Sequence, residues 1–224
     1  MSRNDFSCAV LFSGAGTTAR ALLDFAAEPH SHYHIDLLVT NNPRAPGIAL
    51  AAEHAIELLV LPDRRRGESI PRAQWDQRLA QRFSGYKLDL LVLAGFMRIL
   101  SEPFVREWQG RIVNIHPSLL PKYSGLDTHR RALEGKESEH GFSIHQVTPE
   151  LDSGPLLAQG RVKVHPADTP VLLQERVQEQ ERHFYPRVIE LIATGRLHCS
   201  PERLLFDGNP LPSCGMALCE PDLL

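Results

Sequence analysis

The chain has 224 residues, of which 23% are charged and 42% hydrophobic, and a formal net charge of -3. Such a chain buries a substantial core as one large domain or two small ones, and its charge balance makes no global electrostatic case for nucleic acid. Its apolar runs are too short to span a membrane, and Met1 to Asp5 leads straight into a strand-like run without signal-peptide architecture. Cys8, Cys199, Cys214 and Cys219 show neither a CxxC pair nor a framework spacing, which fits reduced thiols in a cytoplasm.

In chain order, Cys8 to Phe12 is an apolar, β-branched run followed by Ser13-Gly14-Ala15-Gly16-Thr17-Thr18 and then by Ala21, Leu22, Leu23 and Phe25 at helical density. This reads as strand, glycine loop, helix. Glycines let backbone approach an anion, and a helix N-terminus offers unpaired N–H groups with a partial positive charge. Thr17 and Thr18 are placed to cap the helix or to donate hydroxyls to phosphate oxygens. Gly14-x-Gly16-x-x-Ala19 also fits the dinucleotide fingerprint, but the second strand, about Ile35 to Thr40, ends in Thr40-Asn41-Asn42 without the acidic residue that would hold a ribose. A mononucleotide phosphate is favoured over a dinucleotide, and a tight turn with no ligand stays open. His30, His32 and His34 alternate before the second strand. They read as a solvated loop rather than a metal set, because no distant acidic or Cys partner is suggested.

Pro46-Gly47 opens an Ala-rich helix to about His54, and Ile56 to Leu61 reads as a third strand. Arg64-Arg65-Arg66-Gly67 is a basic loop: a solvated turn, or an attractor for an anionic tail. Arg72 to Phe83 reads as a helix with Trp75, Leu79 and Phe83 on its apolar face. Leu88 to Ala94 is an apolar run containing one Asp, Asp89, suited to a central parallel strand. Gly95-Phe96-Met97-Arg98-Ile99-Leu100 follows at its carboxyl end, as core or as the wall of an aromatic-ring pocket. A short helix spans Ser101 to Trp108.

Arg111-Ile112-Val113 then reads as a buried strand leading into Asn114-Ile115-His116-Pro117-Ser118-Leu119-Leu120-Pro121-Lys122-Tyr123-Ser124-Gly125. Asn114 and His116, two apart on a strand, point to one face. Pro117 and Pro121 forbid a regular helix directly afterwards. That puts an Asn and a His at a strand's carboxyl end, where open α/β sheets build their sites. Thr128 to Glu134 is a short helix, and His140 to Val147 and Pro155 to Val164 are strands. The polar loop between them is Thr148-Pro149-Glu150-Leu151-Asp152-Ser153-Gly154. Thr169-Pro170 starts a long helix with an apolar stripe of Leu173, Val177, Phe184, Val188 and Leu191. Glu181 falls on that stripe, where a carboxylate is costly unless paired or open to a cleft; a slight rotation would instead solvate it. Pro186 should kink the helix. Leu204 to Asn209 reads as a hairpin turn, and a poorly ordered tail is expected beyond Pro212. Strands and helices alternating, then two strands close together, imply a parallel sheet ending in an antiparallel pair.

The Asn114-to-Gly125 segment, with Leu151-Asp152-Ser153-Gly154-Pro155 and Glu179-Gln180-Glu181-Arg182-His183-Phe184-Tyr185-Pro186, resembles the signature of the folate-dependent formyltransferases, most closely the branch of purine synthesis. The match covers roughly residues 8 to 197. It implies an α/β, Rossmann-like, mostly parallel sheet with an antiparallel C-terminal edge, the formyltransferase fold. A single domain over residues 1–224 is expected, with a nucleotide-binding half at about 7–110, a folate and catalytic half at about 111–200, a tail at 201–224, and substrates in the cleft between the halves.

The resemblance further implies an enzyme that moves a formyl group from 10-formyltetrahydrofolate, a co-substrate, to the amine of 5'-phosphoribosylglycinamide, without metal. Asn114, His116 and Asp152 would be catalytic. Formyl transfer makes a tetrahedral oxyanion, which the Asn114 amide and a protonated His116 could stabilise, with Asp152 favouring the imidazolium and helping to carry a proton. Read alone, His116 could be structural and Asp152 a turn cap. Gly14, Gly16, Thr17 and Thr18 would hold the substrate phosphate, and Pro117, Gln178 and Glu181 its amine and ribose. Folate would contact Arg72, Met97, Arg98, Ile99, Leu100, Asn114, and Thr148, Pro149, Glu150, Leu151 and Asp152. Relatives usually carry Gly-Asn-Gly-Ser-Asn at the glycine loop; Ala15 and Thr18 stand here instead of the asparagines, leaving only the backbone part of that site intact. The implied partners are small molecules, with neither nucleic acid nor membrane, in a cytoplasmic monomer or homodimer. Other readings are a relative with another acceptor, a formylfolate hydrolase, or a nucleotide-binding module without catalysis. A tRNA-acting relative would need an extra C-terminal domain, for which the stretch after Leu197 is too short.

Overall fold

The computed structural model describes residues 6–65, 67–200 and 203–218. The chain divides between Val113 and Asn114 into two compact units. The strands of its main sheet follow the order thirteenth, ninth, eighth, seventh, sixth, first, second, third in chain numbering, and helices connect the parallel ones. This is the mostly parallel α/β architecture expected of the sequence.

The first unit opens with β1 (Phe6–Phe12), α1 (Thr17–Ala26) and β2 (Tyr33–Thr40). A 3-10 turn at Pro46–Ile48 precedes α2 (Ala49–Glu53), so the expected longer helix is split. Then come β3 (Glu57–Val60), β4 (Arg64–Arg65), β5 (Glu68–Ser69), α3 (Arg72–Phe83), β6 (Leu90–Leu93), α4 (Glu102–Glu107) and the start of β7 (Ile112–His116). β1 pairs in parallel with β2 and β6, and β2 with β3. Cys8 to Phe12 and Leu90 to Leu93 are buried almost completely, because a parallel strand covered on both faces must be apolar at every position. The basic loop is in fact the β4–β5 hairpin, with Ile70 N–H donating to Asp63 O at 2.7 Å across its base; Arg66 lies outside the described residues.

The second unit continues with α5 (Thr128–Glu134), β8 (Glu139–Gln146), β9 (Leu156–Lys163), α6 (Pro170–Ala193), β10 (Leu197–Cys199), β11 (Leu204–Phe206), β12 (Asn209–Pro210) and β13 (Met216–Leu218). β8 and β9 are the expected antiparallel pair, and β10 to β12 form a small antiparallel sheet containing the Leu204-to-Asn209 hairpin. Thr169 Oγ1 accepts from Leu172 N–H at 3.3 Å and Pro170 opens the first turn of α6, satisfying the cap that Thr-Pro promises. The stripe from Leu173 to Leu191 is between 0% and 4% exposed, and the helix runs through Pro186. The tail corrects the sequence reading. Instead of trailing off after Pro212, it returns as β13, parallel to β9. Gly215 makes this return feasible: it has a φ of 72°, and a Cβ there would come within 2.8 Å of the Leu157 backbone.

Candidate active site

Asn114, His116 and Asp152 come together within the second unit. Asn114 and His116 lie on one side of β7, at its carboxyl end, and His116 is only 6% exposed. Its Nδ1 lies 3.5 Å from Asp152 Oδ2, and its Nε2 lies 3.0 Å from the Tyr123 carbonyl. An imidazolium here would find an acceptor at each nitrogen. Asp152 sits in a left-handed conformation with a φ of 51°, in the loop after β8, and its Oδ2 also accepts the Gly125 N–H at 2.8 Å. Asp and Asn tolerate this conformation better than most residues.

His145 completes the cluster, and sequence reasoning did not single it out. Its Nδ1 lies 2.8 Å from the Gln146 carbonyl. A carbonyl only accepts, so Nδ1 carries the proton and Nε2 carries a lone pair. Burial lowers the His145 pKa below its ordinary value, and the neighbouring His116 adds to this, so the ring is neutral. The lone pair on Nε2 must then accept from Asn114 Nδ2, 3.1 Å away. This fixes the Asn114 amide with one N–H engaged and the other free to donate. His145 Nε2 is 3.9 Å from Asp152 Oδ1. The signal was available: alternation along His140 to Val147 puts His145 on one face of a strand with Ser143, and a buried polar residue there needs a partner.

The loop after β7 is held by a buried polar network. Ser143 Oγ donates to Ser118 O at 2.7 Å and accepts from Leu120 N–H at 3.0 Å, while Gln159 Nε2 donates both to Ser143 Oγ and to Leu120 O at 2.9 Å. Ser118 O, Leu120 N–H and Leu120 O, which no regular helix pairs here, thus find side chains. Next to it, His140 bonds to the Pro117 backbone, and its Nε2 lies 3.2 Å from His129 Nδ1. Burial lowers both rings to about 4, so this is a neutral pair.

Other expected residues lie elsewhere in this unit. Thr148 and Glu150 flank Pro149 in an outward turn in which Thr148 Oγ1 donates to Glu150 O, and Leu151 is largely exposed beside Asp152. Pro117 and Gln178 are half-buried. Glu181 is buried on α6, 6% exposed, and burial pushes its carboxyl up to about 7. No hydrogen bond or ion pair joins it to Asn114, His116 or Asp152 among the described residues.

In the first unit, Gly16 rather than a threonine occupies the N-cap of α1, with a φ of 72° and no side-chain cap. A Cβ at Gly16 would come within 2.8 Å of the Leu50 side chain and 3.2 Å of the Gly47 backbone, so with its left-handed φ this position favours glycine. Thr17 is exposed and Thr18 buried. Capping by either threonine is therefore not realised, and the first N–H groups of α1 are left without intrahelical acceptors. Ser13, also missed in the sequence, is the hub: Oγ donates to Asn41 Oδ1 at 2.6 Å and accepts Met97 N–H at 2.8 Å, tying the glycine loop to the segment after β6. Beside that segment is a cavity of about 500 Å³ lined by Asp63, Ser69, Ile70, Pro71, Arg72, Met97, Arg98 and Ile99. Arg98 is fixed by donation to Ile70 O at 2.7 Å and by lying 5.1 Å over the Trp75 ring, and burial lowers its pKa. Met97 is 70% exposed, whereas Leu100 is buried and does not line the cavity. Of the residues the resemblance assigns to folate, Arg72, Met97, Arg98 and Ile99 line this one hollow.

A model of the formyl transferase family matches residues 7–189. The chain belongs to this family. Among curated relatives of this formyl transferase, the phosphoribosylglycinamide formyltransferase of Escherichia coli is 41% identical over 94% of this chain and 98% of its own length. That of Haemophilus influenzae is 35% identical over 93% and 97%. The solved phosphoribosylglycinamide formyltransferase of Coxiella burnetii superposes with a TM-score of 0.88 at 40% identity, covering 96% of this chain and 99% of that one.

Proposed function

We propose that this formyl transferase moves the formyl group of 10-formyltetrahydrofolate to the glycyl amine of 5'-phosphoribosylglycinamide, a step of purine biosynthesis. Its family membership and full-length similarity to phosphoribosylglycinamide formyltransferases support the reaction. The observation that carries the chemistry is the clustering of Asn114, His116, His145 and Asp152, with one Asn114 N–H left to donate and His116 beside the Asp152 carboxylate.

In this reading the substrate amine attacks the formyl carbon and a tetrahedral oxyanion forms. The free N–H of the Asn114 amide donates to that oxygen as charge develops, which is where a fixed donor contributes most, and the His116 imidazolium, held beside Asp152, stabilises it by its positive charge. The amine loses its proton towards Asp152, directly or through water, and the folate nitrogen takes up a proton as the carbon–nitrogen bond to it breaks. Neither a covalent enzyme intermediate nor a metal is required. The substrate phosphate is read by the backbone of Gly14 and Gly16 with Thr17 and Thr18 at the α1 N-terminus. Arg72, Met97, Arg98 and Ile99 take the folate, with Leu100 behind them and Thr148, Pro149, Glu150 and Leu151 beside Asp152. Pro117, Gln178 and Glu181 contact the amine and ribose. Among the described residues no helix is long and apolar enough to cross a membrane; the reading is of a cytoplasmic monomer or homodimer acting on small molecules, not on nucleic acid.

The test is a rate measurement with 10-formyltetrahydrofolate and phosphoribosylglycinamide together and separately. Formylated ribonucleotide appearing only with both substrates is expected. Release of formate at the same rate with or without the acceptor would sink the proposal in favour of a hydrolase.

A further inference from the structure

One short segment, residues 123–125, touches both His116 and Asp152. The Tyr123 carbonyl meets His116 Nε2 at 3.0 Å, and the Gly125 N–H meets Asp152 Oδ2 at 2.8 Å. Its backbone is not a relaxed one: Tyr123 has a φ of 57°, a left-handed conformation that costs energy for a bulky residue and persists only where the surroundings impose it.

Side chains outside the reacting cluster impose it. Arg131, on α5, donates through Nη1 to the carbonyls of Ser124 and Leu126 at 2.6 and 3.2 Å, and its guanidinium lies 5.3 Å over the Tyr123 ring. The Tyr123 hydroxyl donates to Glu137 Oε1 at 2.9 Å. Lys122 Nζ donates to both oxygens of the same carboxylate at 2.9 and 3.0 Å. Those bonds from Lys122 and Tyr123 hold the Glu137 carboxyl below its ordinary pKa, so it is an acceptor near neutral pH. The Tyr123 ring and hydroxyl and the Ser124 and Leu126 carbonyls are thereby fixed, and the directions of the Tyr123 carbonyl and the Gly125 N–H follow from them.

We infer that Tyr123, Arg131 and Glu137 are positioning residues of the formyl-transfer reaction, a claim that rests on the function proposed above. They set the geometry of the His116–Asp152 pair through the 123–125 backbone. None of them is assigned to substrate, so their loss should act on turnover and not on affinity. Misplacement of a reacting group by about 1 Å can cost on the order of a hundredfold in rate.

The test uses Tyr123→Phe, Glu137→Ala and Glu137→Gln in the full chain. Tyr123→Phe and Glu137→Ala should lower kcat about tenfold, with KM for both substrates within about twofold. Glu137→Gln keeps an acceptor for the Tyr123 hydroxyl and should recover most of the loss. The second readout is the ¹⁵N resonance of His116 Nε2 in imidazole-labelled, substrate-free protein, which should move in the first two variants and return in the third. Unchanged kcat and an unmoved resonance in Tyr123→Phe, whatever happens to the melting temperature, would overturn the inference. If Glu137→Ala fails to fold, Tyr123→Phe, which removes one oxygen atom, decides. If the native chain transfers no formyl group, the activity reading falls, and the resonance alone then decides the positioning claim.

Discussion

Glu181 shows how one buried residue ties stability to pH. It interrupts the apolar stripe of α6, and burial raises its carboxyl to about 7. A carboxyl whose pKa is raised on folding binds its proton longer in the folded state than in the unfolded one. Stability therefore falls as pH rises. The cost is nil below the unfolded value near 4.5, grows up to about 7, and is complete above it. A shift of this size corresponds to about 3 kcal/mol at full ionisation. Glu181→Gln removes the titration, so its stability gain over the native chain should be negligible near about pH 4.5 and reach roughly 1–3 kcal/mol by about pH 8. Denaturant unfolding of both proteins across that range measures it; a gain independent of pH would contradict the burial account. The stripe position made Glu181 conspicuous in the sequence, whereas His145 was not. Its partner Asn114 stands far away in the chain, and only the pairing of strands brings the two within 3.1 Å.

Among the elements, those with enough residues to repeat a pattern were legible. α3 spans Arg72–Phe83, as its apolar face indicates, and α5 and α6 begin where expected. The β4–β5 hairpin and β13 were not, because two or three residues establish no period and depend on the partner they meet. β13 matters beyond its length. It covers the outer edge of β9 through Met216, Ala217 and Leu218, and Leu218 is buried there. An uncovered edge presents unpaired N–H and C=O groups that pair with other chains. Ending the chain after Pro212 should lower the melting temperature by several degrees, roughly the effect of losing 1–2 kcal/mol, and should give concentration-dependent association. Calorimetry and light scattering read the two effects; an unchanged melting temperature and a monodisperse sample would show that the strand is dispensable.

For the whole molecule, the proposed function gives each compact unit a distinct share of the chemistry. The first has the glycine loop and the cavity beside Met97, to which substrate recognition is proposed; the second has the Asn114, His116, His145 and Asp152 cluster, to which the chemical step is proposed. The family and the parallel architecture were legible from motifs and alternation, but the hydrogen bonds that orient each reacting group were not, since they depend on side chains distant in sequence. In the proposed function His116 and Asp152 act in the chemical step rather than in holding substrate. The most direct measurement is therefore single-turnover formyl transfer by His116→Ala and Asp152→Asn, alongside folate and ribonucleotide binding by the same proteins. The account predicts that the rate falls by about a thousandfold or more while both dissociation constants stay within about fivefold. Native turnover in either variant, or a loss of binding that accounts for the whole loss of rate, would contradict it.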